Sequence, residues 1–284
     1  MNHRPVLTTY RNSTLNWVGD GFLTLGMLPH STYVNVTNPF LLSGYNPPHF
    51  FPPADRPRGV GEHPHRGFET VTIVFQGGLA HADSAGNAGT LGPGDVQWMT
   101  AGSGIRHEEF HSDVINREGG MLEMVQLWVN LPQQYRNVAP RYQDIRDGEI
   151  PVVTLSGGGR LRVIAGSYAG VMGPAETHSP LGLWDTHLPE RGRHEMDLPE
   201  GWTVSVQLLS GSLRINADRV IEGPETVVFT TEPGKVELEA LAEAHYLVLA
   251  AKQLQEPLVM AGPFVAGSDA ELRQAFVDFR RGRF

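Results

Sequence analysis

Two short motifs carry the chemistry this sequence can do. His63-Pro64-His65 sets two imidazoles at i and i+2, and His107-Glu108-Glu109 sets an imidazole and a carboxylate at the same spacing. Residues two apart on a strand project from one face. His63 and His65 therefore point together, as do His107 and Glu109, with Glu108 turned away. If the two strands are neighbours, three imidazoles and one carboxylate converge. Such a set suits a divalent transition metal. Imidazole is a borderline ligand, the carboxylate offsets part of the charge, and positions stay open for water, substrate or dioxygen. The competing reading is two pairs of packed or surface histidines with no ion between them.

Other residues join this constellation less directly. Glu69 shares the parity of His63 and His65 if the strand runs on without a bulge through Val71, Ile73 and Phe75. It then reads as a further ligand or as a group that orients one. His111, four residues beyond His107, reads as a support or surface residue ahead of an extra ligand. His49 and His81 have no spaced partner and read as structural. Trp98, Gln126 and Trp128 read as core or support.

Composition narrows the classes. The chain has 284 residues and no cysteine, which removes disulfides, thiolate metal sites and cysteine nucleophiles together. Histidine numbers 12, and eight of these precede residue 143. The net charge is −9, and the 22 basic residues hold only two lysines, Lys235 and Lys252. A nonspecific electrostatic grip on nucleic acid or on an anionic membrane is therefore not expected. Arg280-Arg281-Gly282-Arg283 reads as a solvated tail end. The first residues lack the apolar core of a secretory signal, and no run of 18 apolar residues occurs. A cytoplasmic location is the expectation.

The elements that must position the histidines read as β. Gly 33 and Pro 21 punctuate short apolar runs such as Thr70–Phe75, Met124–Leu131, Leu161–Ala165, Trp202–Leu209, Thr226–Thr230 and His245–Ala250. Strands at this spacing predict a sandwich or barrel. The polar stretch Pro132–Ile150 marks a boundary or crossover. Gln76-Gly77-Gly78-Leu79 followed by Gly92-Pro93-Gly94-Asp95 is echoed by Ser210-Gly211-Ser212-Leu213 followed by Glu222-Gly223-Pro224-Glu225. The echo suggests two similar β domains. Ser268-Asp269-Ala270-Glu271 reads as a capping box that opens a C-terminal helix, a packing element without chemistry of its own.

The residues also carry a family resemblance. His63–Val71 (HPHRGFETV) and Gly94–Gly102 (GDVQWMTAG), followed by Gly104-Ile105-Arg106-His107-Glu108-Glu109, resemble the hallmark of the pirins. So do Trp17–Phe22, Asn38–Leu42, Gln126–Pro132, Pro263–Val265 and Leu272–Phe276, so the resemblance spans essentially the whole chain. It implies an all-β bicupin of two antiparallel, jelly-roll-like barrels with a C-terminal helix. The expected parts are a metal-binding cupin over 1–135, a metal-free cupin over 136–265, and a helix and tail over 266–284.

The resemblance implies His63, His65, His107 and Glu109 as ligands. The usual cupin order would instead assign the carboxylate to Glu69, which becomes a supporting residue with Arg66 orienting it. Fe(II) is the first choice of metal, with Cu, Ni, Mn or Zn also compatible. The implied activity is oxidative ring opening of flavonols such as quercetin by O2, with Glu109 taking the proton of the substrate's 3-hydroxyl. The rival is a redox-sensitive regulatory protein that would bind a protein partner. Two departures stand out. Ser43-Gly44-Tyr45 replaces an acidic residue common in the family, and the Pro-rich, aromatic segment Tyr45–Arg58 is positioned to rim the pocket.

Overall fold

The computed structural model describes residues 2–28 and 34–284. Their strands form two compact units interleaved along the sequence. One comprises Met1–Ser13, Met27–Leu41 and Gly148–Leu254, and the other Thr14–Gly26, Leu42–Asp147 and Gln255–Phe284. No helix among the described residues is long and apolar enough to cross a membrane.

The unit that carries the histidine motifs is built on two antiparallel sheets. Among the described residues, seven strands run in the order Arg141–Ile145, Val96–Thr100, Phe68–Gln76, Gly120–Asn130, Phe40–Phe51, Phe22–Gly26 and Leu15–Val18. Four more run in the order Gly59–His65, Ile105–His111, Leu79–Asp83 and Ala88–Leu91. This is the jelly-roll form of a cupin. Phe22, Phe51, Val74, Leu79, Leu91, Leu122 and Met124 fill part of its core.

The second unit repeats the plan with a larger sheet, ordered around the strands Trp202–Ile215 and Lys235–Lys252. These two long strands pair along their length but slip register at three places between Leu208 and Leu213. Their core holds Val163, Trp184, Val204, Val206, Phe229 and Tyr246.

The glycines of the sequence echo share one structural cause. Gly77 (φ +84°) and Gly211 (φ +88°) both adopt the left-handed region. A Cβ on Gly77 would collide with the Met121 carbonyl, and one on Gly211 with the Glu243 carbonyl. In each cupin the glycine lets a strand bend against its neighbour, so the repeated pattern is a repeated backbone need.

The C-terminal segment packs with the histidine-bearing unit. Its helix, Asp269–Arg280, starts at Ser268, whose hydroxyl accepts from the Glu271 amide at 3.3 Å. Glu271 reaches back to accept from the Gly267 amide at 2.9 Å. The reciprocal caps match the predicted capping box. Phe264, fully buried, sits edge-on to Phe276, Phe279 and Phe284.

Candidate metal centre

The Gly59–His65 and Ile105–His111 strands are neighbours, with His107 directly opposite His63. The condition for convergence is therefore met. His63, His65 and His107 each bring one ligand atom within 4.8 Å of the others. Their ring centroids are separated by 4.9 Å (His63–His65), 4.3 Å (His63–His107) and 5.0 Å (His65–His107). Burial alternates along Ile105–His111, so His107 and Glu109 point inward and Glu108 stands at the half-exposed face.

Protonation favours metal binding. His63 Nδ1 lies 3.0 Å from the Gly61 carbonyl. A carbonyl only accepts, so Nδ1 carries the hydrogen and Nε2 keeps a lone pair. Burial pushes His107 down to about 4, opposed by the charge of Glu109. His65 is held well below its usual value by burial, reinforced by His107 and His63 and opposed by the Pro263 carbonyl. The His65 and His107 rings are therefore neutral near pH 7, as ligation requires. Nδ1 of His65 and both ring nitrogens of His107 are buried without a partner. Buried polar atoms are rarely left so, and a divalent ion would satisfy the cluster.

Glu109 lines the same cavity as His63 and His65, but its carboxylate stands outside the three-imidazole group. The strand register slips between His107 and Glu109, whose partners are His63 and Val60. This bulge holds Gly61, the acceptor for His63. Gln126 Nε2 donates to both Glu109 oxygens, at 2.9 and 3.0 Å. Gln126 thus orients the carboxylate, the support half of its core-or-support reading.

The cavity beside the cluster has a volume of about 370 Å³. Phe22, Leu42, Met124 and Trp128 give it apolar walls, and Pro263 comes from the C-terminal segment. That segment, upstream of the capped helix, therefore helps shape the site. Trp128 also packs edge-on to His65 at 5.4 Å. From the Pro-rich stretch Tyr45–Arg58, only Asn46 lines the cavity among the described residues. Tyr45 is buried within the Phe40–Phe51 strand, and its hydroxyl donates to Glu123 at 2.8 Å. The following Pro52–Arg58 turn is tied to the Asp113–Glu118 helix through Asn116.

The assumed parity of Glu69 does not hold. The histidine strand ends at His65 and the next begins at Phe68 in the other sheet, with Gly67 at φ +88° between them. Met124, Gln126 and Trp128 face the cavity, and their cross-strand partners are Val74, Thr72 and Thr70. Glu69, Val71 and Ile73 therefore face the opposite side of that sheet. There the Thr100 hydroxyl donates to Glu69 at 2.7 Å. Burial raises the Glu69 carboxyl to about 7, against the opposing bonds from Thr100 and Trp98. Arg66 does not orient Glu69. It pairs with Asp278 at 2.9 Å and fastens the terminal helix.

The remaining histidines divide by environment. His111 packs against Phe22 and Phe51 and donates Nε2–H to the Gly21 carbonyl at 2.7 Å, apart from the cluster. His49 sits edge-on to Trp17 and Phe51. His81 is buried directly opposite Glu109, stacked on Tyr142, with neither ring nitrogen hydrogen-bonded and Nε2 3.9 Å from Asp144. Only strand register reveals that proximity. In the second unit, expected to be metal-free, Asp185, His187 and His245 also bring ligand atoms within 4.8 Å. Asp185 there accepts from His245 at 2.8 Å and pairs with Arg162 at 2.9 Å. The His187 and His245 rings lie stacked at 3.9 Å.

The fold and the cluster together define a bicupin with a three-histidine centre in one of its cupins. Residues 21–129 match the pirin family model, and residues 183–284 match the pirin C-terminal cupin domain. The chain belongs to the pirin family.

It is 49% identical over 283 residues to a Pseudomonas aeruginosa protein provisionally named quercetin 2,3-dioxygenase, covering 99% of this chain and 98% of that one. It is 38% identical to mouse pirin, covering 80% and 78% of the two chains. The crystal structure of quercetin 2,3-dioxygenase from Acinetobacter baumannii superposes with a TM-score of 0.97 at 43% identity, covering 100% of this chain and 99% of that one.

Proposed function

We propose that this protein is a metal-dependent dioxygenase that opens flavonols such as quercetin with O2, releasing carbon monoxide. The observation that carries the reading is the converging, partly unsatisfied set of imidazoles of His63, His65 and His107 against an apolar cavity. Family likeness to proteins named for this activity supports it.

His63, His65, His107 and Glu109 would hold the ion, with Fe(II) the first choice. The bound metal supplies Lewis acidity at the flavonol oxygen and electronic coupling to dioxygen. One Glu109 oxygen can serve the ion while the other still accepts from Gln126, since a carboxylate offers about four lone-pair sites. Glu109 receives the proton of the flavonol 3-hydroxyl, which leaves the ring electron-rich toward dioxygen. Gln126 keeps the carboxylate aimed. Phe22, Met124 and Trp128 bind the flat ring and keep water away.

Both atoms of O2 enter the ring-opened ester, and the excised carbon leaves as carbon monoxide. The test is loss of flavonol absorbance under air by metal-loaded protein, compared with argon. Equal loss in both gases, or none in either, contradicts the proposal.

A further inference from the structure

The cupin without the H-x-H motif contains a cavity of about 750 Å³. It opens between the Ser167–Tyr168 and Val171–Met172 hairpin, the Arg193–Asp197 strand and the turn leading to Trp202. Its size is within the range of small-molecule sites. We infer that this cavity is a second ligand site, which takes a neutral aromatic compound bearing a carbonyl and a hydroxyl group. The inference does not rest on the reading of the histidine cluster.

The walls select a flat, apolar body. Tyr168, Trp184 and Trp202 line the cavity, with Met172 at the mouth and 67% exposed. Tyr168 stands edge-on to Trp184, with centroids 5.1 Å apart. Aromatic faces in this arrangement bind another ring by stacking or edge contact.

The polar groups select the substituents. Trp184 is only 4% exposed, yet its Nε1 has no hydrogen-bond partner. An indole N–H only donates, so its missing partner is an acceptor oxygen. Gly182 lines the cavity beside it, and a Cβ there would press within 3.1–3.3 Å of the indole edge. The bare glycine keeps a side chain off that edge.

Glu195 and Asp197 line another part of the wall. They accept from a hydroxyl and disfavour an anion. Glu195 is already paired with Lys235. Arg4, fully buried below the turn, does not recruit an anion either. Its terminal nitrogens donate to the carbonyls of Leu198, Pro199, Trp202 and Thr230. A carbonyl for Trp184, a hydroxyl for the carboxylates and a ring for the aromatics describe one neutral molecule.

The test titrates ¹⁵N-labelled full-length protein with 4-hydroxyacetophenone and follows indole N–H resonances. The Trp184 signal is identified by its loss in Trp184→Phe, and Trp128→Phe identifies the reporter of the other cavity. The expected result is a saturable shift of the Trp184 signal, weakened at least fivefold in apparent affinity by Met172→Arg. That exposed mouth position tests the site without disturbing the core. A shift confined to Trp128, no indole shift, or a Trp184 shift indifferent to Met172→Arg overturns the inference.

Discussion

Gln126 donates from a single nitrogen to both oxygens of Glu109, at 2.9 and 3.0 Å. The two residues lie on different sheets of one cupin, so the bond fixes the carboxylate across the cavity. Supporting bonds of this kind typically change metal affinity or activity by about 10–100-fold when lost. Gln126→Leu is expected to lower kcat on quercetin within that range while the fold persists. Steady-state kinetics beside circular dichroism check it, and an unchanged kcat removes Gln126 from the mechanism.

Glu109→Gln keeps an oxygen for the ion but cannot accept the 3-hydroxyl proton. The variant should retain some metal and lose turnover by about 100-fold or more, the usual scale for a general base. Metal content and kcat measured on one preparation decide it, and normal turnover would end the base role.

His65→Ala and His107→Ala should each abolish stoichiometric metal binding with little change in the far-ultraviolet spectrum. Both side chains leave buried nitrogens unpaired in the fold, while apolar strands carry the stability. Metal should correspondingly raise the melting temperature of the wild type and not of the variants. Full metal content in both variants excludes this ligand set.

Glu69 gives a pH signature. Its folded carboxyl titrates near about 7, above its ordinary value of 4.5. The unfolded chain therefore ionises first as pH rises, and the stability present below pH 4.5 is lost on the way through 7. Glu69→Gln removes that loss. It should stabilise the protein by on the order of 1–3 kcal/mol at pH 8.5, and by little at pH 5. Denaturant melts at the two pH values check this; an equal change at both contradicts the assignment.

What could be read from the sequence tracks local periodicity. The i and i+2 spacing was enough to pair His63 with His65 and His107 with Glu109, because two-residue alternation survives wherever a strand is regular. The helix start at Ser268 was equally readable, since a capping box is local. Glu69 was misplaced because Gly67 ends one strand and the next belongs to another sheet. No period counted along the chain crosses such a break.

Gln126, His81 and Pro263 approach the site only through strand pairing or the returning C-terminal segment. The unit division has the same cause. The chain's first residues pair with Glu225–Phe229, and its last residues return to the histidine-bearing unit.

The most direct test of the account is carbon monoxide released per flavonol consumed by Fe(II)-loaded protein under air, with His107→Ala as control. One carbon monoxide for each quercetin lost, and neither change in the variant, is the result expected. Metal-loaded wild type that consumes no flavonol, or consumes it without carbon monoxide, contradicts the dioxygenase reading.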